Sequence, residues 1–403
     1  MSKLRVLFFV EGFTDIRFVT GLSEICDLTL SVPAGPFVES GLKDRIAASG
    51  ATLRVHEIPG SRLTFQFRSF SWLWNHARDF DVIVSQEVLR GSLNATVVGT
   101  IHGVPVVTYM GIAPVEYFRC RRERKRIGRV AALAGELFIR TLMTVNGRLA
   151  TKCLAMGPYL RDIAAHYCPR SEIGLYYGVD TAVFTPVDRE ARINLRKKRD
   201  LPLDRFVIFL SSRISHEKDP ETVLRATALA RARGLDAVLI NLGGGFRDFL
   251  ALAGELGLPD VSNWVLGRPA AHPVTEVADY FQSADVMALA SLAEGAAYST
   301  LEALSCGTPV VATEVGGMAV QLQHVARLTP RQDHEAMAEQ FLWIAAHPDE
   351  ARAQALGGRD MILRDWSREK AFADLARVLD EVSVSTRRRT AQAVTRASVS
   401  SRP

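Results

Sequence analysis

Short, uninterrupted apolar runs recur along the chain, separated by longer stretches in which apolar residues return every three or four positions. Leu4 to Val10, Val82 to Ser85, Pro105 to Tyr109, Phe206 to Leu210, Val238 to Leu242, Val286 to Leu289 and Pro309 to Ala312 read as buried strands. Strands apolar on both faces, alternating with helical patterns, predict an α/β fold of doubly wound, Rossmann-like domains, each a parallel sheet covered on both sides. The alternation lapses between Thr185 and Pro202, where Arg196, Lys197, Lys198 and Arg199 cluster, and a fresh strand follows at Phe206. This predicts an N-terminal domain over 1–190 and a second domain over 200–365. A last helical pattern over 366–382 is expected to pack back toward the N-terminal domain, and 383–403, without periodicity, reads as a disordered basic tail.

Composition narrows the class. With 403 residues, 48% hydrophobic and 23% charged, the chain is long enough for two cores. The Val6 to Val10 run is too short for a signal segment and stops at Glu11; Val130 to Val145 is broken by Glu136 and Arg140, so no membrane span is expected. Five scattered cysteines form no C-x-x-C pair, which argues against a zinc site or a disulfide framework and for a reducing cytoplasm. The net charge of +5 is concentrated at Arg119 to Arg129, Arg196 to Arg199 and Arg387 to Arg389.

Candidate chemistry lies in the second half. In EGAAYSTLEALSCGTPVVATEVGG, Gly295, Ala296 and Ala297 open a helix expected to start near Tyr298, whose free amides suit a phosphate, with Ser299 and Thr300 as hydroxyl donors. Glu302 suits a vicinal diol such as ribose, and Glu294, on the preceding loop, a donor sugar. Taken singly, either carboxylate reads equally as a capping or solvated group. In FLSSRISHEKDPETVLRA, Arg213 and Lys218 follow a strand and precede a helix capped by Asp219 with Pro220 at its first position. Two cations at a strand's carboxyl end can neutralise a diphosphate without metal. Gly244, within the Gly243 to Gly245 cluster, permits close backbone approach, and Gly267 with Arg268, after a strand over Asn263 to Leu266, is placed to flank a base. Asp79 and Asp81 spell D-x-D, but they precede their strand, so no metal is expected.

These residues resemble family 4 of the retaining glycosyltransferases (glycosyltransferase group 1). The resemblance covers Phe206 to about Gly317, with weaker matches at Tyr176 to Pro186 and in the N-terminal domain, and its most specific motif is E-x7-E followed by EALSCGTPVVATEVGG. It implies the GT-B architecture of two Rossmann-like domains facing across a cleft, and a hexosyltransferase-type enzyme with a nucleotide sugar as co-substrate and no metal. It further implies that Arg213 and Lys218 contact the donor phosphates, Glu302 the ribose, and Glu294 with the amides of Gly295 to Tyr298 the transferred sugar. Gly12, in the Glu11-Gly12-Phe13 loop that replaces a glycine pair, is counted with the donor-binding residues. Met110 stands where many relatives carry a histidine.

From Tyr117 to Phe138 a basic run, Arg119, Arg121, Arg122, Arg124, Lys125 and Arg126, joins an apolar helical pattern. A basic amphipathic segment suits an anionic membrane face, or forms an ordinary solvated helix face. The absence of interleaved aromatics argues against nucleic acid. The expected activity is metal-independent transfer of a sugar to a glycan or lipid-linked acceptor in envelope or exopolysaccharide assembly, in the cytoplasm or at the inner face of the plasma membrane. A nucleotide-sugar epimerase, a glycan phosphorylase and a non-catalytic sugar-nucleotide-binding protein are the alternatives.

Overall fold

The computed structural model describes residues 3–125, 128–268 and 274–400, the side chains of 124–125 and 387–400 excepted. In chain order the elements are β1 (Arg5–Phe9), α1 (Ile16–Ile25), β2 (Asp27–Pro33), α2 (Ala34–Glu39), α3 (Leu42–Ser49), β3 (Arg54–Ile58), α4 (Arg62–His76), β4 (Val82–Ser85), α5 (Arg90–His102), β5 (Val106–Met110), α6 (Pro114–Lys125), α7 (Arg129–Leu149), β6 (Lys152–Ala155), α8 (Pro158–Ala165) and β7 (Ser171–Ile173). Then follow α9 (Arg189–Lys198), β8 (Phe206–Leu210), α10 (Pro220–Ala232), β9 (Ala237–Leu242), α11 (Phe246–Glu255), β10 (Val265–Arg268), α12 (Val274–Ser283), β11 (Val286–Leu289), α13 (Tyr298–Ser305), β12 (Val310–Thr313), α14 (Gly316–Gln321), β13 (Arg327–Thr329), α15 (His334–Ala346), α16 (Pro348–Asp365) and α17 (Arg368–Ser400).

They form two units. The first holds β1 to β7 with α1 to α5, α7, α8 and α17; the second holds α6 from Glu116 onward and the chain from Gly178 to Arg368. Each unit has one sheet, in the orders β3-β2-β1-β4-β5-β6-β7 and β10-β9-β8-β11-β12-β13. All pairings are parallel, and central β1 and β8 are buried nearly throughout, as apolar runs without alternation require. In the first unit Leu7 and Phe9 pack on Phe65 of α4 and Ala95 and Val98 of α5, while Phe8 meets Phe18 of α1 on the opposite face. Phe372 of α17 lies so close over Gly21 that a Cβ there would stand 2.0 Å from its ring, which explains why the C-terminal helix belongs to the first unit.

Three expectations change. The charged 185–202 stretch is no linker: it holds α9, and the second unit already begins at Gly178. Arg196 is only 6% exposed, donating to Asp285 at 2.6 Å and to the carbonyls of Ser283, Pro202, Leu203 and Arg205, while Arg192 and Arg199 pair with Asp285 and Asp279. Arg192, Arg196 and Arg199 thus face carboxylates far away in sequence, while Lys197 and Lys198 stay exposed. The segment after 382 continues α17 to Ser400, since no Gly or Pro between Arg368 and Ser400 breaks the backbone; residues 401–403 lie outside the described residues. The strand expected over Asn263 to Leu266 starts two residues later, after a single helical turn over Val261–Asn263.

Arg196→Ala strands part of the Asp285 charge and unmakes four carbonyl contacts. The loss of stability is about 3 kcal/mol, read as a lower urea midpoint at unchanged slope.

Candidate functional site

In each sheet the strand order reverses at one point, between β1 and β4 in the first and between β8 and β11 in the second, and loops leaving the carboxyl ends there diverge to leave a crevice. The second unit places its candidate residues at that point. The loop after β8 carries Arg213 and Lys218, and the loop after β11 carries Glu294. The Lys218 ammonium is ion-paired with the Glu294 carboxylate, which also accepts from Ser291 Oγ at 3.2 Å. The Leu292 amide donates to the Glu217 carbonyl at 2.8 Å, tying the two loops by backbone as well.

The glycines of the region are fixed by close approach. A Cβ on Gly317 would stand 1.9 Å from the Gly295 carbonyl oxygen, and the Gly317 amide donates to the Glu294 carbonyl, so the glycine at the start of α14 clamps the loop that carries Glu294. Gly243, with a φ of 155°, would bring a Cβ to 2.5 Å from the Ser212 carbonyl, and the Gly244 carbonyl accepts from the Ile214 amide. These contacts hold the glycine cluster beside the Arg213 loop.

α13 starts at Tyr298, and Gly295, Ala296, Ala297 and Ser299 surround its amino end. Two expectations there are revised or sharpened. Thr300 is not an available donor, because its buried hydroxyl donates to the Ala297 carbonyl at 2.6 Å. Glu302 is 5% exposed, so the solvated alternative for it falls away. Asp219 caps α10 from the left-handed region, with φ of 43°, and its carboxylate accepts from Thr222 Oγ at 2.6 Å; burial raises its pKa. Arg268 donates to the carbonyls of Gly267, Arg199 and Asp200, which holds its guanidinium against the chain after α9.

Glu217 and Tyr117 join the site without a sequence signal. Glu217 sits in a loop of charges that reads as solvated, yet it is 5% exposed and accepts from the Tyr117 hydroxyl at 2.6 Å and from Arg213 at 3.2 Å. Burial works against its charged form, but the hydrogen bond from Tyr117 and the neighbouring donors outweigh it and lower its pKa. Burial, then the bond to Glu217, raises the pKa of Tyr117. Arg213 itself is 65% exposed.

Tyr117 lies on α6, which revises the basic run. The stretch from 117 to 138 is two helices, not one amphipathic segment, and they fall in different units. Arg121 lies over the Tyr117 ring at 4.7 Å and Glu123 pairs with Arg331, whereas Arg119 is exposed. The side chains of Arg124 and Lys125, and all of Arg126, lie outside the described residues.

The first unit has its own cavity, about 580 Å³, at its switch point. Its floor is polar: Glu11 accepts from Gln66 at 2.9 Å and pairs with Arg90, and Glu87 accepts the Gly91 amide at 2.8 Å. Burial and the adjacent Glu11 raise the pKa of Glu87. Gly12 and Met110 line this cavity, whose walls include Phe13, Phe138 and Leu142. Of the D-x-D pair, Asp81 is engaged by both the backbone and the guanidinium of Arg5.

Two doubly wound parallel sheets, one in each unit, are the architecture of the GT-B fold. Residues 191–360 match the family model described as glycosyl transferases group 1. A D-inositol 3-phosphate glycosyltransferase of Arthrobacter sp. (strain FB24) is 36% identical over 148 residues, 35% of this chain and 34% of the relative. One of Thermobispora bispora is 29% identical over 321 residues, covering 75% and 71%. Several such alignments span a third to a half of the relatives' length. Anabaena HepE, solved with UDP, shares the fold at a TM-score of 0.73 and 16% identity, over 94% of this chain and 100% of that one. WaaG, a glycosyltransferase involved in lipopolysaccharide biosynthesis, does so at 0.69 and 14%, over 93% and 99%. The chain thus has the GT-B fold, and its residues 191–360 are similar to the group 1 glycosyltransferases.

Tyr117→Phe removes a donor to the Glu217 carboxylate. Because that carboxylate's pKa is depressed by folding, the stability it contributes is present above the ordinary carboxylate pKa and fades as the pH falls through the lowered one. The variant is less stable by about 1.5 kcal/mol near pH 7, and the gap closes toward acid; urea unfolding across pH measures both.

Proposed function

We propose that this protein is a retaining, metal-independent transferase that moves a sugar from a nucleoside diphosphate sugar to a glycan or lipid-linked acceptor, in envelope or exopolysaccharide assembly at the inner face of the plasma membrane. The observation that carries the reading is the pair of cations, Arg213 and Lys218, at the β8–β11 switch point beside the amino end of α13. Lys218 and the exposed Arg213 supply positive charge where the leaving diphosphate gains negative charge, and the α13 amides add oriented dipoles. The buried Glu302 serves the ribose diol, and Glu294 the sugar hydroxyls, exchanging its contact with Lys218 for them when phosphate takes up the cation.

In the transfer step the bond from the anomeric carbon to the phosphate oxygen breaks as the acceptor oxygen bonds to the same face. The acceptor's proton passes to the departing phosphate oxygen, so no separate base is needed. UDP is the first nucleotide to test, because HepE was solved with UDP and with UDP-glucose. The first unit's cavity, with glutamates on its floor and apolar walls, suits an acceptor that offers hydroxyls beside an apolar part.

A thermal-shift screen of nucleoside diphosphates and their sugars singles out one base, since a ligand at 100 times its Kd adds about 2.7 kcal/mol. With that donor, Arg213→Ala and Lys218→Ala each lower kcat by about 10² in an assay of nucleoside diphosphate release. Turnover of both variants near wild type, or a screen in which nothing shifts the transition, removes the reading.

A further inference from the structure

α4, α5 and α7 cover one face of the first sheet, with α5 between the other two. Their inner sides are ordinary core: Phe65, Leu73, Ala95 and Val98 pack onto the strands beneath. Their outer sides are not. On α4, Leu63, Phe67, Phe70 and Trp74 recur at the spacing of a single helical stripe, opposite the buried Phe65, Ser69 and Leu73. On α7, Val130, Leu133, Leu137 and Phe138 form a second stripe, opposite the buried Ala132, Met143 and Asn146. Phe67 is 78% and Val130 82% exposed. Both helices are therefore apolar on their packed and on their open sides, and two such stripes on one face mark an interaction surface.

Charge selects the occupant. The three helices carry five exposed arginines, Arg62, Arg68, Arg129, Arg140 and Arg148, against one acidic residue, Glu136, while Arg90 is paired with Glu11. A second copy of the same face would set arginine against arginine. An anionic lipid surface accepts both features, apolar side chains at the acyl boundary and guanidinium groups among the phosphates. The cavity of the first unit joins this face, being lined by Arg62 at the start of α4 and Phe138 on α7, with the exposed Phe13 and Ile112 also in its lining.

We infer that the α4–α5–α7 face of the first unit seats on an anionic bilayer, with Phe67, Val130, Leu133 and Leu137 entering the headgroup boundary. What this seating serves rests on the reading of a lipid-linked acceptor: the cavity then lies beside the surface that holds such a molecule. The docking surface is α4 and α7, not the basic run of α6.

The test is co-sedimentation of the full chain with vesicles of phosphatidylcholine alone or mixed with phosphatidylglycerol. Binding is at least about tenfold stronger to the anionic vesicles. Phe67→Glu combined with Leu137→Glu lowers it about tenfold or more at an unchanged melting temperature, because both side chains are exposed, whereas Arg119→Glu with Arg122→Glu on α6 leaves it intact. Equal binding to both vesicles, binding retained by the α4–α7 variant, or loss confined to the α6 variant overturns the inference. So does a dimer that the α4–α7 variant disperses without any vesicle binding. The nucleotide-induced thermal shift, measured on the same samples, separates the two proposals: vesicle binding without that shift removes the transfer reading and leaves this surface standing.

Discussion

The reversal of strand order between β8 and β11 is the constraint on which the second unit's chemistry depends. Every crossover from a parallel strand returns through a helix, so the loops after neighbouring strands usually leave toward the same side and crowd one another. Only where the winding direction changes do they part. The loops after β8 and β11 part there, and the Lys218–Glu294 pair with the Leu292 amide bond spans the gap between them. Gly317 acts from behind, because no side chain fits between it and the Gly295 carbonyl. The site is thus held by backbone approach and by a few charged contacts, while Arg213, though it donates to Glu217, leaves most of its side chain exposed.

Buried charge organises the same unit elsewhere. Arg192 and Arg196 of α9 converge on Asp285, just before β11, and Asp285 also accepts the amide of Val207 in β8 at 2.6 Å. One carboxylate therefore links α9 to both strands that flank the switch point. Burial disfavours a charged Arg196 and lowers its pKa, and the cost is offset by Asp285 and by four carbonyl acceptors. Glu217 follows the same logic nearer the site, where Tyr117 and Arg213 keep a buried carboxylate ionised.

The first unit repeats the plan with different contents. At its switch point the loop after β1 carries Glu11 and the loop after β4 carries Glu87, so the crevice is acid-floored where the second unit's is cationic. A shared topology fixes where a crevice forms; the residues on two loops decide what it holds. Met110 adds an apolar wall to that crevice and belongs with Phe13 and Phe138.

Strands that are buried on both faces cannot alternate, so β1, β4, β8 and β11 were legible as apolar runs, and with them the fold class and the start of α13. The loops that carry Arg213, Lys218 and Glu294 were legible for a related reason: glycines and small residues mark places where backbone must come close. Partners far apart in the chain were not. Nothing local distinguishes the buried Arg196 from a solvated arginine, Glu217 from its charged neighbours, or the inward hydroxyl of Thr300 from a free one. The division of the 117–138 stretch between two units was equally hidden, since it turns on Tyr117 meeting a residue 100 positions away. The sequence by itself determined which segments must leave water and where the backbone must be bare, because burial and steric size are properties of single residues in a pattern. Which charges are paired, which are exposed, and which apolar stripes remain uncovered was decided only by the tertiary structure, because each depends on what long-range folding brings alongside.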